Sequence, residues 1–127
     1  MDVGTATVLL VDDCVPVRRT LRGLLLHLGF RNIDETGDAE SALAKMRERP
    51  YSLVISDLAM GEKSGLDLLR EVRADENLKR TPFLMVTGYA APDDVLNAKE
   101  AGVDGYIVKP YNTATLKQKV EAVLNQP

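Results

Sequence analysis

The feature that most limits how this chain can fold is a repeated alternation of short apolar runs and helix-spaced stretches. Residues 6–11 (ATVLLV), 51–56 (YSLVIS), 82–86 (PFLMV) and 104–108 (DGYIV) are rich in Val, Ile, Leu or Phe. They show no sustained polar alternation, the pattern of strands buried on both faces. A weaker run at 31–35 precedes Thr36-Gly37 and predicts an edge strand. Between the runs the apolar residues recur at helical spacing. Val17, Leu21, Leu24 and Leu28 mark one helix face, with Pro16 suited to the first helical position and Gly29 to the stop. Ala39, Ala42, Leu43 and Met46 mark a second, opened by Asp38 as N-cap. Leu66, Leu69 and Val72 mark a third, and Val95 and Ala98 a fourth between Pro92 and Gly102. Leu116, Val120, Val123 and Leu124 mark the last. Strand then helix, five times over, predicts an α/β fold with one parallel sheet and right-handed crossovers.

Composition narrows the function classes. With 127 residues the chain is close to one domain and can bury roughly two thirds of its unfolded surface without a staple. The single cysteine, Cys14, excludes an internal disulfide framework and a Cys-rich zinc site. Structural packing is the expected role of that cysteine, because free Cys is usually buried. Sixteen Lys+Arg against nineteen Asp+Glu leave a net charge of -3, which gives no support to nucleic-acid or anionic-membrane binding. No apolar run is long enough to span a bilayer, and the N-terminus lacks the basic flank of a signal peptide. The expectation is a soluble, cytoplasmic, monomeric domain over 1–127 with no effector domain.

In an open α/β sheet, ligands sit beyond the carboxyl ends of the strands. The apolar runs end there in Asp12-Asp13, Asp57, Thr87 and Lys109-Pro110. Three carboxylates, one hydroxyl and one ammonium are therefore expected at one rim. The first loop carries neither G-x-G-x-x-G nor G-x-x-x-x-G-K-[ST], so nucleotide binding loses its main signal. Three ionised carboxylates in one place repel one another unless a cation joins them. All-oxygen ligation suits Mg²⁺, whose two charges with that of Lys109 balance Asp12, Asp13 and Asp57. His27, the lone histidine, lies in the first helix and is expected to be solvated.

Over almost its whole length the chain resembles the receiver domains of two-component response regulators, and within them most nearly the chemotaxis regulators. The resemblance rests on VLLVDD, RRTLRGLLLHLGF, LVISDLAM, GLDLLREVRAD, FLMVTG, AGVDGYIVKP and ATLKQKV. It implies a flavodoxin-like three-layer sandwich with strand order 2-1-3-4-5. It implies Asp57 as phosphoacceptor, with Asp12, Asp13, Asp57 and the backbone carbonyl of Ala59 holding Mg²⁺. Thr87 and Lys109 would contact phosphoryl oxygens, Thr87 and Tyr106 would form the conformational switch, and Lys109-Pro110 would be a cis peptide. The implied phosphodonor is a histidine kinase. The implied output face is the fourth helix, fifth strand and fifth helix, with Val95, Lys99, Tyr106 and Lys119 as candidate members. The implied target is a downstream protein, the flagellar motor switch, and a phosphatase is a further possible partner.

Two departures matter. Met60-Gly61 stands where the family often has Met-Pro, and glycine loosens that loop. The resemblance implies that the positions of Ala59 and Tyr89 flank the mouth of the site, where an alanine cannot orient water and a tyrosine would cover the entrance. Slow self-dephosphorylation is therefore expected, with decay no faster than in Ala59→Asn and Tyr89→Ala. Two alternatives stay open. One is a phosphate sink or relay intermediate that does not bind the motor. The other is an Mg²⁺-dependent phosphohydrolase with an Asp nucleophile, which needs a D-x-D pair that Asp57-Leu58-Ala59 lacks.

Overall fold

A computed structural model describes residues 2–88 and 91–125. Five strands and five helices alternate: β1 Thr7–Val11, α1 Val15–His27, β2 Asn32–Thr36, α2 Ala39–Glu48, β3 Leu53–Asp57, α3 Gly65–Ala74, β4 Phe83–Thr87, α4 Pro92–Glu100, β5 Gly105–Val108 and α5 Thr113–Leu124. All four strand pairings are parallel, in the order β2-β1-β3-β4-β5. This is the flavodoxin-like arrangement. The strand order reverses between β1 and β3, which places a crevice at their carboxyl ends.

Alternation along the strands splits the core into two halves. Val8, Leu10, Ile55, Leu84, Val86 and Ile107 face Leu21 and Leu25 of α1 and Leu116, Val120 and Val123 of α5. Leu9, Val11, Val54, Phe83 and Met85 face Ala42, Leu43 and Met46 of α2 and Leu68, Leu69 and Val72 of α3. The helix α4 is the least embedded: Ala98 is its one fully buried residue, and Leu96 is 57% exposed.

Local chemistry sets the boundaries. The Asp38 side chain accepts from the Ser41 N–H and opens α2. Ser64 and Asp67 form a reciprocal capping box on α3. Gly29 and Gly102, at φ of 105° and 92°, take the left-handed turns that end α1 and α4. The central strands begin one or two residues later than their apolar runs, so Asp57 and Thr87 are the last residues of β3 and β4 rather than the first residues after them.

Arg73 of α3 ties the opposite end of the sheet together. Its guanidinium donates to the carbonyls of Gly102 (3.0 Å), Lys79 (3.1 Å) and Thr81 (2.7 Å), and to Asp104 Oδ2 (2.9 Å). Asp104 Oδ2 also accepts from the Phe83 N–H at 2.8 Å. Arg73→Ala strands several acceptors at once and is expected to cost about 2–3 kcal/mol in urea unfolding. Arg73→Lys should rescue little of this, because one ammonium cannot reproduce the planar fork.

Candidate phosphorylation and metal site

The crevice is built from the backbone outward. The Asp12 N–H donates to the Thr36 carbonyl (3.1 Å), which continues the sheet one residue past β1. Asp12 Oδ1 accepts from the Cys14 N–H at 2.9 Å, so the loop entering α1 fixes that carboxylate. Arg18 Nη1 donates to the Asp12 carbonyl at 2.7 Å while its Nε holds Glu35 at 2.9 Å. Asp57 projects from the end of β3, and its Oδ1 accepts from the Leu58 N–H at 2.9 Å.

One carboxylate oxygen from each of Asp12, Asp13 and Asp57 lies within 4.8 Å of the others. Asp12 is buried, Asp57 is half-buried and Asp13 is exposed. Burial, together with the nearby Asp12 and Asp13 charges, raises the Asp57 pKa above the ordinary carboxylate value; Lys109 and the Leu58 N–H oppose this only in part. Lys109 Nζ sits 4.0 Å from Asp12 Oδ2. Three close carboxylates with one ammonium are short of positive charge, and an oxygen-only donor set open on one side fits Mg²⁺.

The fourth and fifth strands complete the rim. Thr87 ends β4 and is buried, and its carbonyl accepts from the Lys109 N–H at 2.7 Å. The Lys109–Pro110 peptide is cis. Thr87 pairs with Val108 and Met85 with Tyr106, so by alternation the Thr87 and Tyr106 side chains stand on the same face of the sheet, that of α3. The Tyr106 hydroxyl is buried without a hydrogen-bond partner among the described residues. Burial raises its pKa, and the charges of Asp94 and Asp57 add to the effect.

Sequence reasoning missed three residues of this site. Arg18 lies off the apolar Val17-Leu21-Leu24-Leu28 face, and nothing in that spacing marks it as a site residue. Tyr111, half-buried just past Pro110, lines a small void with Asp12, Asp57 and Lys109. Gly65 starts α3 directly on the end of β3: a Cβ there would lie 2.1 Å from the Asp57 carbonyl oxygen and 2.9 Å from the Met85 sulfur. Gly65→Ala must therefore push α3 off β3. Its expected cost is about 2–3 kcal/mol, the upper range for overpacking, with loss of Mg²⁺ affinity measured in the same sample.

One sequence expectation is corrected. Cys14 is exposed rather than packed, because it is the N-cap position ahead of Val15-Pro16 and its side chain points away from both core halves. His27 is exposed at the end of α1, away from the rim. Lys99 and Lys119 are exposed and Val95 is half-buried. Leu96 and Val108 (44% exposed) add apolar surface near them that helical spacing alone did not reveal. Ala59 is exposed in the loop after β3, while Tyr89 lies outside the described residues. No helix among the described residues is long and apolar enough to cross a membrane.

The family model for the response regulator receiver domain matches residues 8–121. The chain belongs to the response regulator receiver family. Among curated relatives, the chemotaxis protein CheY of Pseudomonas aeruginosa is 42% identical over 119 residues, covering 94% of this chain and 96% of that protein. CheY-3 of Vibrio cholerae is 41% identical over 119 residues, covering 94% and 92%. Among solved structures, CheY4 of Vibrio cholerae superposes with a TM-score of 0.86 at 32% identity, over 93% of this receiver and 98% of that chain. The receiver domain of the sensor histidine kinase PA1611 from Pseudomonas aeruginosa, with a magnesium ion coordinated in its active-site cleft, gives 0.84 at 29% identity, over 95% and 98%.

Proposed function

We propose that this receiver accepts a phosphoryl group on Asp57 from a histidine kinase and passes the signal to a protein target through the α4–β5–α5 face. The observation that carries the proposal is the meeting of Asp12, Asp13 and Asp57 oxygens within 4.8 Å beside Lys109. An Asp57 oxygen attacks the phosphorus of a phosphohistidine. The new P–O bond forms as the P–N bond breaks, and the departing imidazole takes up a proton from water. Asp12, Asp13, Asp57 and the Ala59 carbonyl would hold Mg²⁺, which when bound offsets the negative charge of the incoming phosphoryl group. Lys109 supplies a second positive charge to the transferring oxygens, and the Thr87 hydroxyl donates to another.

Output follows from the shared face of Thr87 and Tyr106. When Thr87 turns toward the new phosphoryl group, it frees space on its own side of the sheet. Tyr106, already buried at its hydroxyl, settles into that space, and α4, which begins at Pro92, shifts with it. The loosely embedded α4 offers little resistance. Relatives named for chemotaxis support a role in chemotaxis, for which the proposed target is the flagellar motor switch; such a donor and target imply a cytoplasmic location. It is a phosphoacceptor that assists its own phosphotransfer and dephosphorylation, and the phosphoryl group it carries is the signal rather than a released product.

The test is binding of a motor-switch peptide by fluorescence anisotropy with and without acetyl phosphate and Mg²⁺. Phosphorylation is expected to tighten binding at least about fivefold, the lower end of ordinary allosteric coupling. Binding that ignores phosphorylation would move the assignment to a phosphate sink or relay.

A further inference from the structure

Beside the metal-site carboxylates, a cavity of about 310 Å³ opens between the β2–α2 and β3–α3 connections. Its floor is apolar or bare: Met60 and Ala39 are buried side chains, and Gly37 and Gly61 add none. A Cβ at Gly61 would meet nothing within 4 Å, so open space continues where a side chain would stand. Gly61 has φ 42°, which a proline, fixed near −65°, cannot adopt. The rim, by contrast, is acidic. Its one cation, Lys63, is taken up by Glu40 and Glu71. Among the described residues, Asp13, Asp38 and Glu62 have no ion-pair partner there. Asp38 is held ionised by the Ser41 N–H, which keeps its carboxyl below the usual value.

We propose that this cavity is a docking pocket for one Arg or Lys side chain of a protein partner, its stem on Met60 and Ala39 and its cationic head between Asp38 and Glu62, beside the Asp13 that the metal would take. The volume stands at the lower end for ligand sites and suits a single long side chain. Such side chains bury their methylenes and leave the charge at the rim, which this apolar floor and acidic edge complement. The choice of a protein occupant rests on the phosphotransfer proposal, since a donor or phosphatase must approach this rim to reach Asp57. Binding itself requires no phosphorylation, so the two can fail separately.

The test is an NMR titration of the full chain in saturating Mg²⁺, which occupies the neighbouring carboxylate cluster, with acetyl-Ala-Arg-Ala-amide. Its citrulline counterpart has the same shape without the charge, and spermidine is a cation without a protein backbone. The arginine peptide is expected to shift the amides of Gly37, Ala39, Gly61 and Lys63 saturably. It should bind about three- to fivefold more tightly than the citrulline peptide, and lose that margin in Glu62→Lys. Glu62→Lys is exposed and leaves the core intact, as its melting curve should confirm. The proposal is overturned by an absence of saturable shifts at those amides, by equal citrulline binding, by indifference to Glu62→Lys, or by spermidine binding more tightly than the peptide.

Discussion

Asp57→Asn is expected to abolish covalent labelling by acetyl phosphate, a loss of at least about a thousandfold in rate. An amide cannot form the acyl phosphate, and no other group at the rim is placed as Asp57 is. Asp12 has one oxygen held by the Cys14 N–H and its ammonium neighbour Lys109 at 4.0 Å, and Asp13 lies at the exposed edge. The substitution should not unfold the protein. The Asp57 pKa is raised in the fold, mainly by burial and then by Asp12. For a carboxyl raised on folding, the ionised form costs stability above the folded pKa. The metal-free wild type should therefore become more stable as pH falls through that folded value toward the ordinary carboxylate pKa. Metal-free Asp57→Asn should melt higher than wild type at pH 7 and lack that acid-side gain from this residue. Lower stability of Asp57→Asn at pH 7 would contradict the electrostatic account of the pocket, independently of labelling.

Asp13→Asn carries the second large effect. Asp13 is the exposed carboxylate of the cluster, so its removal leaves no cavity in the core. What it removes is charge. Even outer-shell changes around a metal cost about ten- to a hundredfold in affinity, and a direct ligand should cost no less. In wild type, Mg²⁺ at a hundred times its Kd adds about 2.7 kcal/mol of stability. In Asp13→Asn the same Mg²⁺ concentration should add little, while the metal-free variant melts no lower than wild type. Calorimetric titration and melting curves in EDTA and in Mg²⁺ give both numbers. A wild-type Mg²⁺ affinity in the variant would remove Asp13 from the ligand set.

The parts of this molecule legible in the sequence are those where one residue's environment repeats along an element. Central strands are buried on both faces, so β1, β3 and β4 stand out as apolar runs. The edge strand β2 mixes buried Ile33 and Thr36 with exposed Asn32, and its signal is correspondingly weak. The rim residues were legible because a parallel sheet delivers every carboxyl end to one side. Gly65 and Arg18 were not, since their roles depend on which backbone carbonyl each meets in space: the start of α3 on that of Asp57, and the Arg18 guanidinium on that of Asp12. Cys14 misled for a related reason. The general preference of cysteine for interiors gave way to a local requirement, an extended residue ahead of the Val15-Pro16 helix start.

The most direct test of the central claim is chemical mapping of the acceptor. The protein is incubated with acetyl phosphate and Mg²⁺, the acyl phosphate is reduced with borohydride, and the peptides are sequenced by mass spectrometry. Homoserine at position 57, absent when EDTA replaces Mg²⁺, is the predicted result. Homoserine at position 12 or 13, or metal-independent labelling, would contradict it.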